Sequence, residues 1–390
     1  MIRYVKAVGQ MMKKAFRNFK RKIKDFFVLK KQKKVLNRFL KNAKGKKILL
    51  ISHQLTTNGA PFMLYNLAKE LTQKDCSITV ASYQGGGLEK NFKKLGAEVL
   101  CGEIYRDNEE VLKKLISNFD KVIVNSVVCF SAVKVCKDSI WWIHEGQNIE
   151  LGFMSDYPEL KSVLRDAGNI FVVSDYAKKT VDKYNQNSQV IRLGIKDLYN
   201  PKYEQKDEKK IKIALVGSVC ECKAQDVFAD AILKLDKNIL EQSEFHFFCE
   251  KKGRRYRKIK KQLQHLNNII FEGHILNQDL KWSKFAQMDV FVIPSRDESC
   301  SLVTLEACML KKPVIVSENV GAKYMVKEGE NGYIVKTGDS ESLKEAIEKI
   351  ILNKNGLSIM GEISRIQYQK FASFENHLKE LQKIIDLCIN

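Results

Sequence analysis

Short apolar runs rich in β-branched residues alternate with helical patterns along most of this chain, and the whole series occurs twice. The first series is KILLIS (47–52), SITVAS (77–82), KVIVNSVV (121–128), SIWWIHE (139–145) and NIFVVS (169–174). The second is IKIALVGS (211–218), FHFFCE (245–250), NIIFEGH (268–274), VFVIPS (290–295) and KPVIVS (312–317). Runs that are apolar almost throughout, rather than at alternate positions, belong to strands covered on both faces, as in a parallel sheet with helical crossovers. Stretches such as FMLYNLAKELTQK and QDVFADAILKL supply those crossovers. Between the two series lies KDLYNPKYEQKDEKK (196–210), polar and poor in apolar residues, which reads as an interdomain linker. A chain of 390 residues also exceeds the size at which a single core stops growing. The expectation is an α/β protein of two doubly wound, Rossmann-like domains facing across a cleft, over residues 47–200 and 201–370. A ligand is expected where the carboxyl ends of the strands meet that cleft. A terminal amphipathic helix is expected over 371–390.

The formal net charge of +21 is not spread along these domains. Residues 1–47 hold 18 Lys or Arg against one acid, Asp25, which leaves about +4 for the rest of the chain. Within that segment Val5, Val8, Met12, Phe16, Phe19, Ile23 and Phe26 recur every three or four residues, with basic residues between them. The spacing predicts a basic amphipathic helix over 1–46, suited to lie in the headgroup region of an anionic membrane surface. A solvated helix packed on the rest of the protein has the same pattern. Nucleic acid is not expected as a partner, because no nucleic-acid fold signature accompanies the charge. No run approaches the roughly 18 to 20 apolar residues of a membrane span. The N-terminus carries no apolar signal-peptide core, and the ten cysteines are scattered, so the thiols are expected reduced and no metal site is expected.

Chemistry concentrates in PSRDESCSLVTLEACML, from Pro294 to Leu310. A buried strand ends just before it, and LVTLEACML reads as a helix whose first turn follows Ser299 and Ser301, both good N-cap residues. Backbone N–H groups of Cys300, Ser301 and Leu302 then gather at a helix N-terminus, where small side chains let a phosphate approach. Glu298 stands before this nest and Glu306 inside the helix, placed to accept hydrogen bonds from hydroxyls on either side of a diphosphate. In isolation the same two acids read as a loop acid and a solvated helix residue. Lys223, at a strand-to-helix turn, reads alone as a surface lysine, and His144 as a core histidine.

The stretch resembles the signature of the retaining glycosyltransferases of family 4, whose fold is GT-B. The resemblance extends from about 47 to 340. FEGHILNQDLKWSKFAQMDVFVIPS resembles the family's lead-in, LVGSVCECKAQDVFADAI its donor-phosphate loop, TTNGAPFMLYNLAKEL its N-terminal glycine loop, and WWIHEG the place of its histidine. The resemblance implies that Glu298 faces the donor sugar, Glu306 binds the ribose hydroxyls and Lys223 neutralises the diphosphate. It places His144 beside the reacting sugar, Gly59 in the turn that approaches phosphate or acceptor, and Ile275 against the base. Three positions depart from the pattern. Ser218 stands where the family has arginine, Asn58 precedes Gly59 with Pro61 soon after, and Ser301 replaces a glycine.

The resemblance implies metal-independent transfer with retention, from a nucleotide-sugar donor to a glycan or lipid-linked acceptor, with no cofactor. No Asp-x-Asp motif occurs to hold a metal-bound diphosphate. The expected setting is cytoplasmic, peripheral to the inner face of the cell membrane, in cell-surface polysaccharide or glycan assembly. The alternative is a noncatalytic partner of the same fold that binds nucleotide or glycan.

Overall fold

The computed structural model describes residues 25, 27–57, 59–203, 210–275 and 277–390. The predicted stripe from Val5 to Phe26 lies outside the described residues. A helix over 27–41 precedes the first strand. It is tied down by Gln32, whose Nε2 donates to Cys101 O at 2.9 Å and whose Oε1 accepts from Tyr105 OH at 2.5 Å.

Two parallel sheets form. The first comprises β1 (Lys47–Ser52), β2 (Ser77–Ser82), β3 (Glu98–Cys101), β4 (Lys121–Asn125), β5 (Ile140–Ile143), β6 (Asn169–Val172) and β7 (Gln189–Val190), in the order β3-β2-β1-β4-β5-β6-β7. The second comprises β8 (Ile211–Val216), β9 (Ser243–Phe248), β10 (Ile269–Phe271), β11 (Val290–Ile293), β12 (Val314–Ser317) and β13 (Gly332–Val335), in the order β10-β9-β8-β11-β12-β13. Central strands are buried along almost their whole length, as the continuous apolar runs require. The α/β, Rossmann-like reading is the observed fold.

Contacts group the chain into two compact units. One contains the described residues up to Ile143, with Glu159–Ile170 and Lys383–Asn390; the other contains His144–Pro158 and Phe171–Gln382. Part of the polar stretch predicted as a linker is fastened inside the second unit. Ile195 O accepts from Tyr368 OH at 2.9 Å, and the Arg365 guanidinium, on the helix Leu357–Phe371, grips Asp197.

Strand ends follow backbone geometry rather than hydrophobicity. KVIVNSVV stops as a strand at Asn125 because Ser126 turns to φ 85°, and IKIALVGS stops at Val216 because Gly217 takes φ 151°. In the second unit Phe228, Phe245, Phe247, Val292, Ile315 and Ile347 form part of one core. Phe228 lies 5.2 Å from Phe247, ring to ring. Each such side chain removed from water contributes about 1.5–3 kcal/mol. Among the described residues no helix is long and apolar enough to cross a membrane.

Candidate active site

In the second sheet β8 and β11 are neighbours, yet the chain leaves β8 for β9 on one side and β11 for β12 on the other. At such a switch point the loops after the two strands diverge and leave a crevice. The loop after β8 carries Ser218 to Lys223, and the loop after β11 carries Glu298. Topology alone therefore brings together two residues far apart in sequence.

Lys223 reaches the crevice by laying its aliphatic stem over Gly217, where a Cβ would stand 3.4 Å from Lys223 Cδ. The helix Gln225–Leu233 begins after Ala224, held in the left-handed region at φ 52°, a strained conformation of a kind that collects at functional loops. Gln225 is buried and donates to Ser218 O at 2.8 Å. Lys223 Nζ pairs with Glu298 Oε2, which also accepts from Ser295 Oγ at 3.3 Å. Burial works against the Lys223 charge, but the Glu298 carboxylate, helped by Cys222 and Cys220, outweighs it and holds the lysine above its ordinary range.

The backbone of Glu298 is fixed independently of its side chain. Its N–H donates to Asn319 O at 3.2 Å and its carbonyl accepts from Gly321 N–H at 2.7 Å, a single parallel bridge centred on Val320. Only glycine fits at 321, since a Cβ would meet Ser299 O at 1.8 Å. Arg296, one position before Asp297, binds the other loop: its N–H donates to Cys222 O at 2.7 Å and its guanidinium to Glu221 O at 2.9 Å. That guanidinium also grips both oxygens of Asp226, at 2.9 and 2.7 Å.

The helix Leu302–Met309 starts where the sequence predicts. Ser301 is its N-cap and accepts from Thr304 N–H at 3.2 Å, leaving the N–H groups of Leu302 and Val303 unused by the cap. Ser299, the other predicted cap, bonds elsewhere, its Oγ donating to His144 O. Cys300 is half-buried, and its thiol is pushed up to about 12 by burial and by Glu298. Glu306 lies a turn inside the helix and pairs with Lys281 at 2.6 Å. Burial, only partly offset by Lys281, raises its carboxyl above the ordinary range. Lys281 in turn sits over the rings of Trp282 and Phe285, at 4.4 and 5.1 Å.

The second unit thus contains His144, Ser218, Lys223, Ile275, Glu298, Cys300, Ser301, Leu302 and Glu306, of which Lys223 and Glu298 pair directly. Ile275 is half-buried in the loop after β10. Gly59 belongs to the first unit, where it opens the helix Gly59–Thr72 at φ 61° with no atom within 4 Å of an added Cβ. Sequence reasoning missed Lys281, Arg296 and Asp297. Among the described residues no group of three or more His, Cys, Asp or Glu stands together to hold a metal ion.

The family model for glycosyl transferases group 1 matches residues 210–353, and that for glycosyl-transferase family 4 matches residues 44–197. This chain belongs to the family 4, group 1 glycosyltransferases. It is 26% identical over 238 residues to an uncharacterized glycosyltransferase of Methanocaldococcus jannaschii, covering 58% of this chain and 61% of that protein. It is 37% identical over 107 residues to the capsular polysaccharide biosynthesis glycosyltransferase CapM of Staphylococcus aureus, 27% of each chain. The matched segments therefore span less than two thirds of either relative. Anabaena HepE, solved with UDP-glucose, superposes with a TM-score of 0.70 at 16% identity, over 87% of this chain and 100% of that one. A glycosyltransferase from Rickettsia africae gives 0.71 at 17% identity, over 88% and 99%. At these identities the likeness shows the shared fold, GT-B. Within the family pattern, Ser218 at the usual arginine position is exposed, and Arg296, which holds the same loop, is engaged by Asp226.

Proposed function

We propose that this chain transfers a sugar from a nucleotide-sugar donor to a glycan or lipid-linked acceptor in cell-surface polysaccharide assembly. The observation that carries the reading is the Lys223–Glu298 pair at the switch point of the second sheet, beside the capped N-terminus of Leu302–Met309. The Lys223 ammonium would neutralise negative charge as the anomeric carbon–oxygen bond breaks and the nucleoside diphosphate leaves. The N–H groups of Leu302 and Val303, with the helix dipole, would hold phosphate oxygens. Glu306 would accept from the ribose hydroxyls, its present partner Lys281 moving aside. Glu298 and His144 would bind donor-sugar hydroxyls. The acceptor hydroxyl attacks from the face the diphosphate leaves, its proton passing to a departing phosphate oxygen, so the anomeric configuration is retained. Positioning of charge requires neither a metal nor a cofactor. HepE, solved with UDP-glucose, supports a nucleotide-sugar donor, and CapM supports a polysaccharide product. Residues 1–46, with their excess of Lys and Arg, would hold the enzyme at the anionic inner face of the cytoplasmic membrane.

The test incubates purified protein with a panel of nucleotide sugars and measures free nucleoside diphosphate, with and without lipid-linked acceptors and with a chelator. The expected outcome is release from one donor, strongest with one acceptor and unchanged by the chelator. Donor binding without release across a broad acceptor panel would replace this reading with that of a noncatalytic partner.

A further inference from the structure

The two residues flanking Glu298 both point away from it, toward the segment that carries His144. Asp297 Oδ2 accepts from Asn148 N–H at 2.8 Å, and Oδ1 accepts from Gln147 N–H at 3.1 Å and from Tyr176 OH at 3.0 Å. On the other flank Ser299 Oγ donates to His144 O, while Ser299 O accepts from Ser174 Oγ. The alternation follows from the backbone bridge with Val320. An extended residue sends its neighbours to the opposite face, so Glu298 meets Lys223 while 297 and 299 meet 144–148. Gly146 lets the two segments close: a Cβ there would stand 2.4 Å from Asp297 Oδ1 and 2.7 Å from a Tyr176 ring carbon.

We propose that Asp297 is a positioning residue, clamping the segment that carries His144 against the loop that carries Glu298 and so setting the separation of those two side chains. The inference rests on the transferase reading for its kinetic consequence, but the clamp itself does not. A carboxylate accepting two backbone N–H groups and a phenol makes charge-assisted bonds, stronger and more directional than neutral ones. The arrangement also accounts for an acid that neither the Lys223 nor the Lys281 pair uses.

Two measurements test it. Amide hydrogen exchange at Gln147 and Asn148 needs no turnover. Asp297→Asn should speed it by about tenfold or more, the loss of one hydrogen bond to a charged group, and unchanged exchange overturns the clamp. Kinetically, Asp297→Asn should lower kcat about tenfold with donor KM unchanged. That effect should vanish in a His144→Ala background, because a residue acting only through His144 has nothing left to position. Equal losses in both backgrounds overturn the positioning role, since general destabilisation would add. Gly146→Ala provides a second variant that leaves the carboxylate in place and forces the clamp open from the opposite side. It should raise exchange at 147 and 148 and lower kcat, and normal values for both would sink the idea. Wild-type protein that turns over no donor would count against the transferase reading, leaving the exchange result to decide the clamp.

Discussion

The carboxylate–lysine pairs at Glu298 and Glu306 are close in sequence and belong to the same unit, yet they are built by opposite means. Glu298 is an irregular loop residue held by its backbone: a bridge to Val320, a glycine at 321 that admits it, and flanking side chains anchored elsewhere. Glu306 is a regular helix residue, placed by the capped start of Leu302–Met309, with its carboxylate largely shielded from water. The lysines differ in the same way. Lys223 comes from the loop after β8 and crosses to Glu298 at the switch point, whereas Lys281 comes from the helix Gln278–Ala286 and rests on two aromatic rings. Under the proposed transfer, the Lys223–Glu298 pair would serve chemistry and the Glu306–Lys281 pair recognition. A group pinned in loops from two strands would be oriented before a donor arrives; a helix carboxylate whose lysine can be displaced would select what replaces that lysine.

The largest expected effect tests the first half of that statement. Glu298→Gln should reduce kcat by about 100- to 1000-fold, the range for removing one preorganised polar group, and lower the melting temperature as well, since the partly buried Lys223 loses its counter-charge while the backbone bridge to Val320 stays. Lys223→Met should cost comparable turnover and also destabilise the fold, since it leaves a largely buried carboxylate without its cation. Combining the two changes should restore stability but not activity, as read by thermal unfolding and nucleotide release. Restored turnover in the double variant would make the pair structural.

Glu306 should behave differently. Glu306→Gln should raise donor KM by about tenfold, the weight of hydrogen bonds to a charged group, with kcat within a few-fold. It also carries a pH signature. Because burial raises the native carboxyl, the folded state binds this proton more tightly than the unfolded chain. The group therefore favours folding below the ordinary glutamate range and loses that advantage as pH rises through its native value. The melting temperature of Glu306→Gln relative to wild type should accordingly increase from about pH 4 toward neutrality. A difference that runs the other way would mean Lys281 outweighs burial.

The contrast also explains how much could be read from the sequence. The buried strands β1, β2, β4, β5, β6, β8, β9, β11 and β12 announce themselves because a parallel sheet covered on both faces demands continuous apolar runs. Strands β3, β7 and β13 do not, and each is an edge strand with partly exposed residues, such as Glu98, Gln189 and Ile334; the remaining edge strand, β10, was legible because Ile269, Ile270 and Phe271 still form a continuous apolar run. At the site, the Ser301 cap of Leu302–Met309 followed from serine placement and local turn chemistry, while Ser299, read as equally suitable, bonds to His144 O instead. Lys281 could have been inferred, since its helix carries a cation among aromatics ahead of the acid. Asp297 and Arg296 could not. Their roles depend on which way an extended residue faces and on which loops share a switch point, and both are tertiary facts with no local pattern.

Ser218→Arg sharpens the comparison from the donor side. The position is exposed, in the same loop that carries Lys223. A second cation there should tighten donor binding several-fold, a gain that shrinks as salt screens it. Equal affinity at low salt would mean that the diphosphate does not lie along this loop.

The smallest effect concerns a reporter that only the first pair possesses. Cys220 and Cys222 precede Lys223, and a hydrogen bond from Cys222, with further help from Lys223, brings the Cys220 thiol down to about 6 despite its burial. Cys222 is pushed upward instead, chiefly by its bond to Cys220. Cys220, the thiol held down, should therefore be the first cysteine alkylated, because the thiolate is the reacting form. Buried thiols such as Cys249, raised to about 11, stay slow. The labelling rate should climb through about pH 6 and level off above it. Cys220→Ser should leave turnover within about twofold, since the hydroxyl keeps the loop's hydrogen bonding. If the nucleotide diphosphate sits against Lys223, the donor should slow this alkylation several-fold and Lys223→Met should abolish that protection. Protection that survives Lys223→Met would separate the diphosphate from the Glu298 pair and leave the helix N-terminus as its principal anchor.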